Sequence, residues 1–508
     1  MEKIVFIPLD ERPCNRDWPV TLFSGDDISV VYPKKLGNRK IPANCEELCS
    51  FLLEESRDAQ AAVISMDMLL YGGLFCSRLH HLSKETVDAR FDTIRQIKKN
   101  NPEIKIYLFQ SIMRCPTACC NDQEPDYYGV YGDKIHLIGK YTHLKQLGND
   151  CDKELSELKE IVKEEHLKDY VSRRKFNVEY NIKTLELLED NTAQLLIIPQ
   201  DDSAPFGFTT MDQTVVRNAI AEKRLYTKAL MYPGADEVAM TLFSRIVNEM
   251  AGRIPSVYIR YAGTLSKYCI PRYEDRPLEE TIKSHIMAAG FRITEEFSKA
   301  DIILAVTAPS KDMQEAGEQP MTTIPYCVER NLTELANFIH LCVKEKRAVA
   351  ILDNAFSNGG EIALVEMLDD YGILTDVVAY AGWNTNANSL GTVLAHSTRW
   401  LSRGVDETHY NFLVNRYVED AVYMGGVRKD VTVNDLPKHK GLYYKDVKET
   451  RGVIAQIVHQ KIEKLCGCVL STIAEDITIK DVYMQNCKMH TACVELEFES
   501  SKYLKEVK

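Results

Sequence analysis

Two adjacent carboxylates, Asp201 and Asp202, are the residues of this sequence best suited to catalysis. They follow the apolar run Leu195–Ile198 after Pro199 and Gln200, at the expected end of a buried strand. Burying two neighbouring carboxylates costs desolvation and repulsion, so the pair needs a cation, a metal or a function that uses different pKa values. One protonated and one ionised carboxyl is the arrangement that glycosidases require. The alternative is that Asp202 or Ser203 simply caps the next helix.

Polar residues follow other apolar runs in the same way. Asp236 and Glu237 come after Pro233-Gly234-Ala235, and both are reserve catalytic candidates, although either could cap a helix. We expect a second group to bind substrate: Asp10, Glu11, Arg12, Asp67, Arg114, Gln200, Asp353, Asn354, Trp383, Asn384 and Asn388. In the last segment a sugar ring could stack on Trp383 while the two asparagines bind its hydroxyls. A turn followed by an N-capped helix is the alternative there.

The elements that must position these residues alternate between strand-like and helical patterns. Apolar runs of strand length are separated by segments such as Glu85–Lys99 and Asp212–Lys223, whose apolar residues recur at threes and fours. This alternation indicates an α/β protein with a mainly parallel sheet, in which ligands meet the carboxyl ends of the strands. We expect a (β/α)8-type barrel with an inserted or second α/β portion and a small C-terminal β-containing module. An open doubly wound sheet with a second lobe is the alternative.

The expected domain organisation follows from changes in pattern along the chain. Residues 1–420 are predicted to form the main α/β catalytic domain, with a polar helical excursion at 115–190 and an inserted α/β portion at 257–308. Residues 421–508 are predicted to form a small α+β module that begins with loop-like sequence. This module becomes β-rich near Val482–Phe498, where apolar and polar residues alternate.

The charge balance and the absence of targeting patterns exclude several classes of protein. The 508 residues carry a formal net charge of −12, which disfavours binding to nucleic acids or anionic membranes. No apolar run of about twenty residues predicts a membrane span, and the N-terminus lacks the zones of a secretory signal. We therefore expect a soluble, cytoplasmic protein whose partner is a small-molecule or oligosaccharide substrate. A homo-oligomer is compatible with the sequence.

Motifs for metals and cofactors are weak or missing. The 15 cysteines are expected to be mostly buried, reduced thiols. Cys466 and Cys468, with Cys487, His490 and Cys493, have spacings that differ from the usual zinc motifs, so no metal site is predicted. The sequence contains no GxGxxG after the first strand, no GxxxxGK[ST], no GxSxG and no HExxH. No cofactor is predicted, and carboxylates remain as the expected catalytic groups.

Four motifs together resemble the bacterial domain-of-unknown-function family 4127. They are Pro8-Leu9-Asp10-Glu11-Arg12-Pro13, Gln200-Asp201-Asp202, Pro233-Gly234-Ala235-Asp236-Glu237 and Gly382-Trp383-Asn384-Thr385. The likeness extends over nearly the full chain, but that family implies no activity. A looser likeness, to barrel glycosidases that act on N-acetylhexosaminides, implies that Asp201 orients the substrate acetamido group and Asp202 is the general acid. In that comparison Trp383 and Asn384 look like the sugar-binding aromatic and amide.

These observations lead to one expected function and two alternatives. We expect a glycoside hydrolase-like enzyme with Asp202 as acid/base and Asp201 as nucleophile or acetamide-orienting carboxylate. The resemblance implies substrates that contain N-acetylhexosamine. The first alternative is a hydrolase or lyase that holds Mg²⁺ or Mn²⁺ with Asp10, Asp67, Asp201, Asp236 and Asp353. The second is a non-catalytic sugar-binding protein on the same scaffold.

Overall fold

The computed structural model describes residues 1–504 and divides into two compact units. The first unit comprises Met1–Phe243 and Tyr273–Asp275, and the second comprises Ser244–Arg272 and the chain from Arg276 onward. The boundary falls within the helix Val238–Met250. The boundary that the sequence suggests near residue 420 stays a prediction.

The first unit is built on a six-stranded parallel sheet with the order β2-β1-β3-β4-β5-β6. Its strands are β1 Glu2–Ile7, β2 Ile28–Val31, β3 Ala61–Ser65, β4 Lys105–Phe109, β5 Leu195–Gln200 and β6 Ala229–Pro233. Its helices are α1 Pro13–Phe23, α2 Cys45–Glu55, α3 Met66–Tyr71, α4 Leu74–Ser77, α5 Lys84–Asn100, α6 Tyr128–Gln146, α7 Asp152–Ile161, α8 Glu164–Thr184, α9 Glu186–Glu189 and α10 Phe208–Glu222, followed by α11 Val238–Met250 at the boundary.

The strands of this sheet form because their side chains are apolar on both faces. Every residue of β3 and of β5 is buried, as expected for parallel strands that helices cover on two sides. The helix α5 shows the complementary pattern: Val87, Phe91 and Ile94 are buried at spacings of four and three. The hydroxyl of Ser83 caps this helix by accepting a hydrogen bond from the amide of Thr86. These elements share one hydrophobic core.

The second unit contains a five-stranded parallel sheet with the order β13-β11-β9-β7-β8. Its strands are β7 Ser256–Tyr261, β8 Arg292–Ile293, β9 Ile302–Val306, β11 Val349–Leu352 and β13 Ala379–Ala381, and a separate short pair is formed by β10 Gln314–Glu315 and β12 Phe356–Ser357. Its helices before residue 417 are α12 Leu278–Ala288, α13 Ile324–Cys327, α14 Leu332–Lys344, α15 Ile362–Asp370, α16 Asn386–Arg403 and α17 Glu407–Arg416.

The C-terminal part of the second unit differs partly from expectation. A π-helix, Tyr417–Val427, continues into α18 Arg428–Asn434, so the loop-like start expected at residue 421 is wrong. This helix is buried on nearly all sides, so its sequence does not show the alternation of apolar and polar residues that marks a surface helix. After α19 Val453–Val469, an antiparallel pair is formed by β14 Ile477–Met484 and β15 Ala492–Phe498, where alternation indicated β structure. The last described helix is α20 Ser501–Leu504.

The structure thus confirms an α/β protein with mainly parallel sheets. The excursion at 115–190 is helical, with α6, α7, α8 and α9 occupying most of it. Within this excursion, α7 ends at Ile161 and α8 begins at Glu164, so Val162 and Lys163 separate two helices. The segment 257–308, expected to be an inserted α/β portion, contributes α12 and the strands β7, β8 and β9 to the second unit. Within residues 1–504, no helix is long and apolar enough to cross a membrane.

Candidate active site

The carboxyl ends of the first sheet carry most of the predicted site residues. Asp10 and Arg12 follow β1, Asp67 follows β3, and Arg114 lies five residues after the end of β4. Asp201 and Asp202 follow β5, and Asp236 and Glu237 follow β6. Since parallel strands end at the same edge of a sheet, the fold gathers these side chains at one edge.

Arg12 joins the ends of β1 and β6 through two carboxylates. Its guanidinium donates to Asp10 Oδ2 at 2.7 and 2.9 Å and to Asp236 Oδ1 and Oδ2 at 2.5 and 3.0 Å. Asn15 Nδ2 also donates to both carboxylates, at 2.8 Å to Asp10 and 3.0 Å to Asp236. Because one amide nitrogen reaches both groups, the two carboxylates lie side by side.

Arg78 and Arg114 hold the second group of carboxylates. Arg78 donates to Asp201 Oδ2 and lies 3.4 Å from Glu124 Oε1. Arg114 donates to Glu124 Oε1 and to Asp202 Oδ2, both at 2.8 Å, and its Nε lies 4.0 Å from Asp201 Oδ2. The Arg78 and Glu124 side chains are each 1% exposed, whereas those of Asp201 and Asp202 are 17% and 26% exposed. The adjacent aspartates are therefore the accessible ends of a buried charge network.

Phe75 connects the two groups. The Arg12 guanidinium carbon lies 5.5 Å from the centre of its ring, and that of Arg78 lies 5.8 Å from the same centre. These are distances at which a cation is attracted to an aromatic ring. Asp201 also lies close enough to Asp236 to raise its pKa. The strand ends of the first unit thus form a single polar cluster.

Burial and repulsion shift the ionisation of this cluster. Burial, together with the neighbouring Asp201 carboxylate, raises the pKa of Asp202 to about 6, against the lowering effect of Arg114. Burial likewise raises the pKa of Asp67 to about 6, although its carboxylate accepts the Ser111 amide at 2.8 Å. Burial raises the pKa of Asp236, with Arg12 opposing. Burial alone would lower the pKa of Arg114, but the carboxylates of Asp202, Glu124 and Asp201 raise it far above its usual value.

The alternative that the paired aspartates cap a helix does not fit the structure. Helix α10 begins at Phe208, its N-cap residue is Gly207, and no side chain caps it. Asp202 instead has a left-handed backbone conformation, with φ of 45°, and its carboxylate bonds to Arg114. Positive φ is uncommon for a residue other than glycine and is found often at functional sites.

Three other predicted residues accept hydrogen bonds from backbone amides. Glu237 is fully buried and accepts the Ala235 amide at 3.0 Å, so it stabilises the turn after β6. Gly234, with φ of 148°, leaves room for this carboxylate, because an added Cβ would lie 2.0 Å from Glu237 Oε1. Glu11 accepts the Arg39 amide at 2.8 Å. Gln200 is 1% exposed, and its carbonyl accepts the Gly234 amide.

The remaining predicted residues belong to the second unit. Asp353 is buried, and its carboxylate accepts hydrogen bonds from the hydroxyls of Thr307 and Tyr380 and from the amide of Glu361 at 2.6–3.0 Å. Burial and then Glu361 raise its pKa to about 7. These contacts place Asp353 in the internal framework of this unit, where it holds the N-terminus of α15.

Trp383 and the three predicted asparagines lie near the start of α16. The Trp383 ring is 5% exposed and donates to the Thr392 hydroxyl at 3.0 Å, so little of its face is accessible for stacking on a sugar. Asn354 donates to Asn386 Oδ1 at 2.8 Å. Asn388 is buried, whereas Asn384 is half-buried with φ of 53°.

Four contributing residues were missed in the sequence, namely Asn15, Phe75, Arg78 and Glu124. Arg78 and Phe75 follow the Tyr71-Gly72-Gly73 turn after β3, and Glu124 lies in the polar stretch after Arg114. The signal that points to Arg78 is charge balance, because clustered carboxylates require cations. No sequence signal identifies Glu124, which is 46 positions from Arg78 in the chain but 3.4 Å from it in space.

The positions of the His, Cys, Asp and Glu side chains indicate whether a metal ion could bind. Within residues 1–504, no group of three or more His, Cys, Asp or Glu side chains is arranged to hold a metal ion. This holds for the strand-end carboxylates and equally for the cysteines near residues 466–493. At the strand ends the reason is visible, since guanidinium groups occupy the space between the carboxylates.

Comparison with known proteins gives a family but no activity. The model of a family described as "Protein of unknown function (DUF4127)" matches residues 4–494, which covers most of both units. A search of curated proteins found no match to the chain. The evidence for an activity is therefore the arrangement of the strand-end residues.

Proposed function

The chain belongs to the DUF4127 family, whose function is unknown, and we propose that it is a glycoside hydrolase-like enzyme. The observation that carries this proposal is the unequal environment of two adjacent carboxyls. Asp201 contacts the buried Arg78, whereas the pKa of Asp202 is raised to about 6 by burial and by Asp201. An ionised carboxylate beside a carboxyl that retains its proton is what cleavage of a glycosidic bond requires.

In the proposed reaction, Asp202 donates its proton to the glycosidic oxygen as the bond from that oxygen to the anomeric carbon breaks. Asp201 remains ionised and either attacks the anomeric carbon or orients the acetamido group of the substrate for that attack. Asp202 then removes a proton from water, whose oxygen bonds to the anomeric carbon and displaces the nucleophile. Both carboxyls return to their starting protonation states, so the cycle is balanced. Substrates that contain N-acetylhexosamine belong to the same proposal.

The charge of the cluster supports a substrate without negative charge. Six carboxylates, Asp10, Asp67, Glu124, Asp201, Asp202 and Asp236, are accompanied by three guanidinium groups, Arg12, Arg78 and Arg114. Even with Asp67 and Asp202 protonated, the cluster has more negative than positive charge. Phosphorylated substrates would be repelled, whereas neutral sugar hydroxyls can bond to both signs of charge.

The carboxylates are less suited to the metal-dependent alternative. A Mg²⁺ or Mn²⁺ ion needs several oxygen atoms that converge on one point. In this cluster Arg12 lies between Asp10 and Asp236, and Arg114 bonds to Asp202. Metal binding would require these ion pairs to separate.

We also propose a barrel-type architecture for this protein. In the order of the first sheet, β3, β4 and β5 lie between β1 and β6. In a flat sheet, β1 and β6 would be about 19 Å apart, from a strand spacing of about 4.8 Å. Asn15 nevertheless reaches the carboxylates that follow both strands. This contact supports a strongly curved sheet of the kind that barrels contain.

The proposal is tested with Asp202→Asn in the full chain, assayed on a panel of aryl glycosides that includes aryl N-acetyl-hexosaminides. We expect the wild type to hydrolyse at least one and the variant to lose about 10²–10⁴-fold in kcat, the usual contribution of an acid–base group. Asp92→Asn is the matched control, because the Asp92 side chain is 59% exposed and lies 3.6 Å from the exposed Arg95, outside the strand-end cluster. Unchanged hydrolysis in Asp202→Asn would refute the assignment. Stabilisation by sugars without any turnover would favour the sugar-binding alternative instead.

A further inference from the structure

The second unit contains a cavity of about 670 Å³ that is separate from the proposed hydrolytic residues. Its lining comes from the segment 319–332, the start of α15, and the π-helix with α18. The volume lies in the range of sites that hold drug-sized ligands, which are lined mainly by apolar side chains with a few placed polar groups. The π-helix is itself an unusual element, and helices of this type occur often at functional sites.

One side of the cavity is aromatic and apolar. Tyr326 and Phe356 stack with ring centres 4.9 Å apart and planes inclined by 21°. Met321, Ile362 and Val433 extend this surface. Because these two rings are only 5% and 4% exposed, the apolar surface open to a ligand comes mainly from Met321, Ile362 and Val433.

A buried ion pair forms a fixed polar part of the lining. Arg330 and Glu361 are paired through both carboxylate oxygens, and the two side chains are only 3% and 7% exposed. Arg330 also donates to the carbonyls of Tyr326 and Thr307, at 3.0 and 2.8 Å. The pair is neutral as a whole, so it shapes the cavity without attracting either sign of charge strongly.

Positive potential comes from the start of α15 and from Lys429. The amide of Glu361 donates to Asp353 and that of Ile362 donates to Gln319, whereas the next amide, of Ala363, has no partner among residues 1–504. Amides at a helix start favour anions. Lys429 is exposed, and its amine makes a long contact of 3.4 Å with the Gln319 carbonyl.

Three acidic residues line the cavity, and two of them have cationic partners: Glu361 is paired with Arg330, and Asp430 is paired with Lys461. The third, Glu366, is exposed, so water and salt screen its charge.

From these features we propose that the cavity binds an amphipathic small molecule with an apolar body and one anionic end. The body lies against Met321, Ile362 and Val433, and the anion lies toward Lys429 and the start of α15. The inference does not depend on the proposed hydrolysis, since all of these residues belong to the second unit and none is assigned a catalytic role.

The test uses two fluorescent probes that differ mainly in one charge. They are 8-anilinonaphthalene-1-sulfonate, which is anionic, and N-phenyl-1-naphthylamine, which lacks the sulfonate. Both are titrated into the folded full chain and into Lys429→Met and Val433→Tyr. Val433 lines the cavity and is 61% exposed, so a larger side chain can obstruct the cavity without disturbing the core. Val328→Tyr is the matched control, because Val328 is 74% exposed and does not line the cavity.

We expect the wild type to bind the anionic probe at one saturable site. Val433→Tyr should weaken both probes about ten-fold or more, from the cost of overpacking, whereas Val328→Tyr should not change either affinity. Lys429→Met should weaken the anionic probe about three-fold and leave the neutral probe unchanged, as expected for an exposed charge. Absence of saturable binding, or equal affinities in wild type and Val433→Tyr, would overturn the site. Equal losses of both probes in Lys429→Met would overturn the anionic preference.

Discussion

Replacing Arg78 with methionine tests the charge network that supports Asp201. Arg78 is 1% exposed and pairs with Asp201 and with Glu124, whose side chain is also 1% exposed. Removing one partner of a buried ion pair typically costs about 3–5 kcal/mol, because the remaining charge stays buried. Glu124 keeps its bond to Arg114, and Asp201 is 17% exposed, so both losses are reduced. We therefore expect Arg78→Met to lower the free energy of unfolding by about 3 kcal/mol.

A double-mutant cycle separates the Arg78–Asp201 interaction from other effects of the substitution. Asp201→Asn removes the charge that Arg78→Met leaves without its main partner. The double variant should therefore be more stable than the sum of the single changes predicts, by about 1–2 kcal/mol. Midpoints and slopes of urea unfolding, followed by circular dichroism on the full chain, measure all four proteins.

Arg95→Met provides the comparison for an exposed arginine. Arg95 is 37% exposed and lies 3.3 Å from both Glu186 and Asp190. Such surface pairs contribute about 0–1 kcal/mol, so this variant should unfold close to the wild-type midpoint. If Arg78→Met costs no more than Arg95→Met, or if the cycle is additive, the buried network does not hold Asp201 and the reasoning fails.

Asp202 and Gly360 are the subjects of three further predictions. Hydrolysis should decline as pH rises through about 6, because only protonated Asp202 can donate; an equal rate at pH 5 and pH 7 would contradict this. Since the folded-state pKa of Asp202 is raised, its contribution to stability is lost as pH rises from about 4 to about 6. Over that interval, urea midpoints of wild type should fall relative to those of Asp202→Asn. Gly360→Ala should cost about 1–3 kcal/mol, because the added Cβ would lie 2.1 Å from the Tyr380 hydroxyl, whereas Gly317→Ala meets no atom within 4 Å. Thermal unfolding compares these two variants.

The strands were largely predictable because short runs of apolar residues indicate which segments are buried. The runs Ile28–Val31, Ala61–Ser65 and Ile302–Val306 are strands with these bounds. The apolar run Val377–Ala379 also has the composition of a strand, yet the strand spans Ala379–Ala381, because Val377 and Val378 are buried outside the sheet. A strand that is apolar on both faces lacks the alternation that would mark its ends.

The gathering of acidic residues at one sheet edge was also predictable, because parallel strands share a direction. Their partners were not. Arg12 contacts Asp236 across 224 positions, and Arg78 contacts Asp201 across 123. Such pairing depends on how the sheet curves and on where the loops return, and neither leaves a pattern in a single sequence. The sequence also could not show that Trp383 is 5% exposed, because a tryptophan after a strand can face solvent or core.

For Asp201 and Asp202, the sequence alone determined their place, at the end of a buried apolar strand. Local composition decides such a position. Four consecutive apolar residues favour a buried strand, whereas charged residues favour the end of the strand, where they can reach water or a partner. Only the tertiary structure decided that Arg78 and Arg114 hold them, and that the pKa of Asp202 is raised to about 6. A pKa depends on burial and on charges within a few ångströms, and those charges come from residues that are distant in the chain.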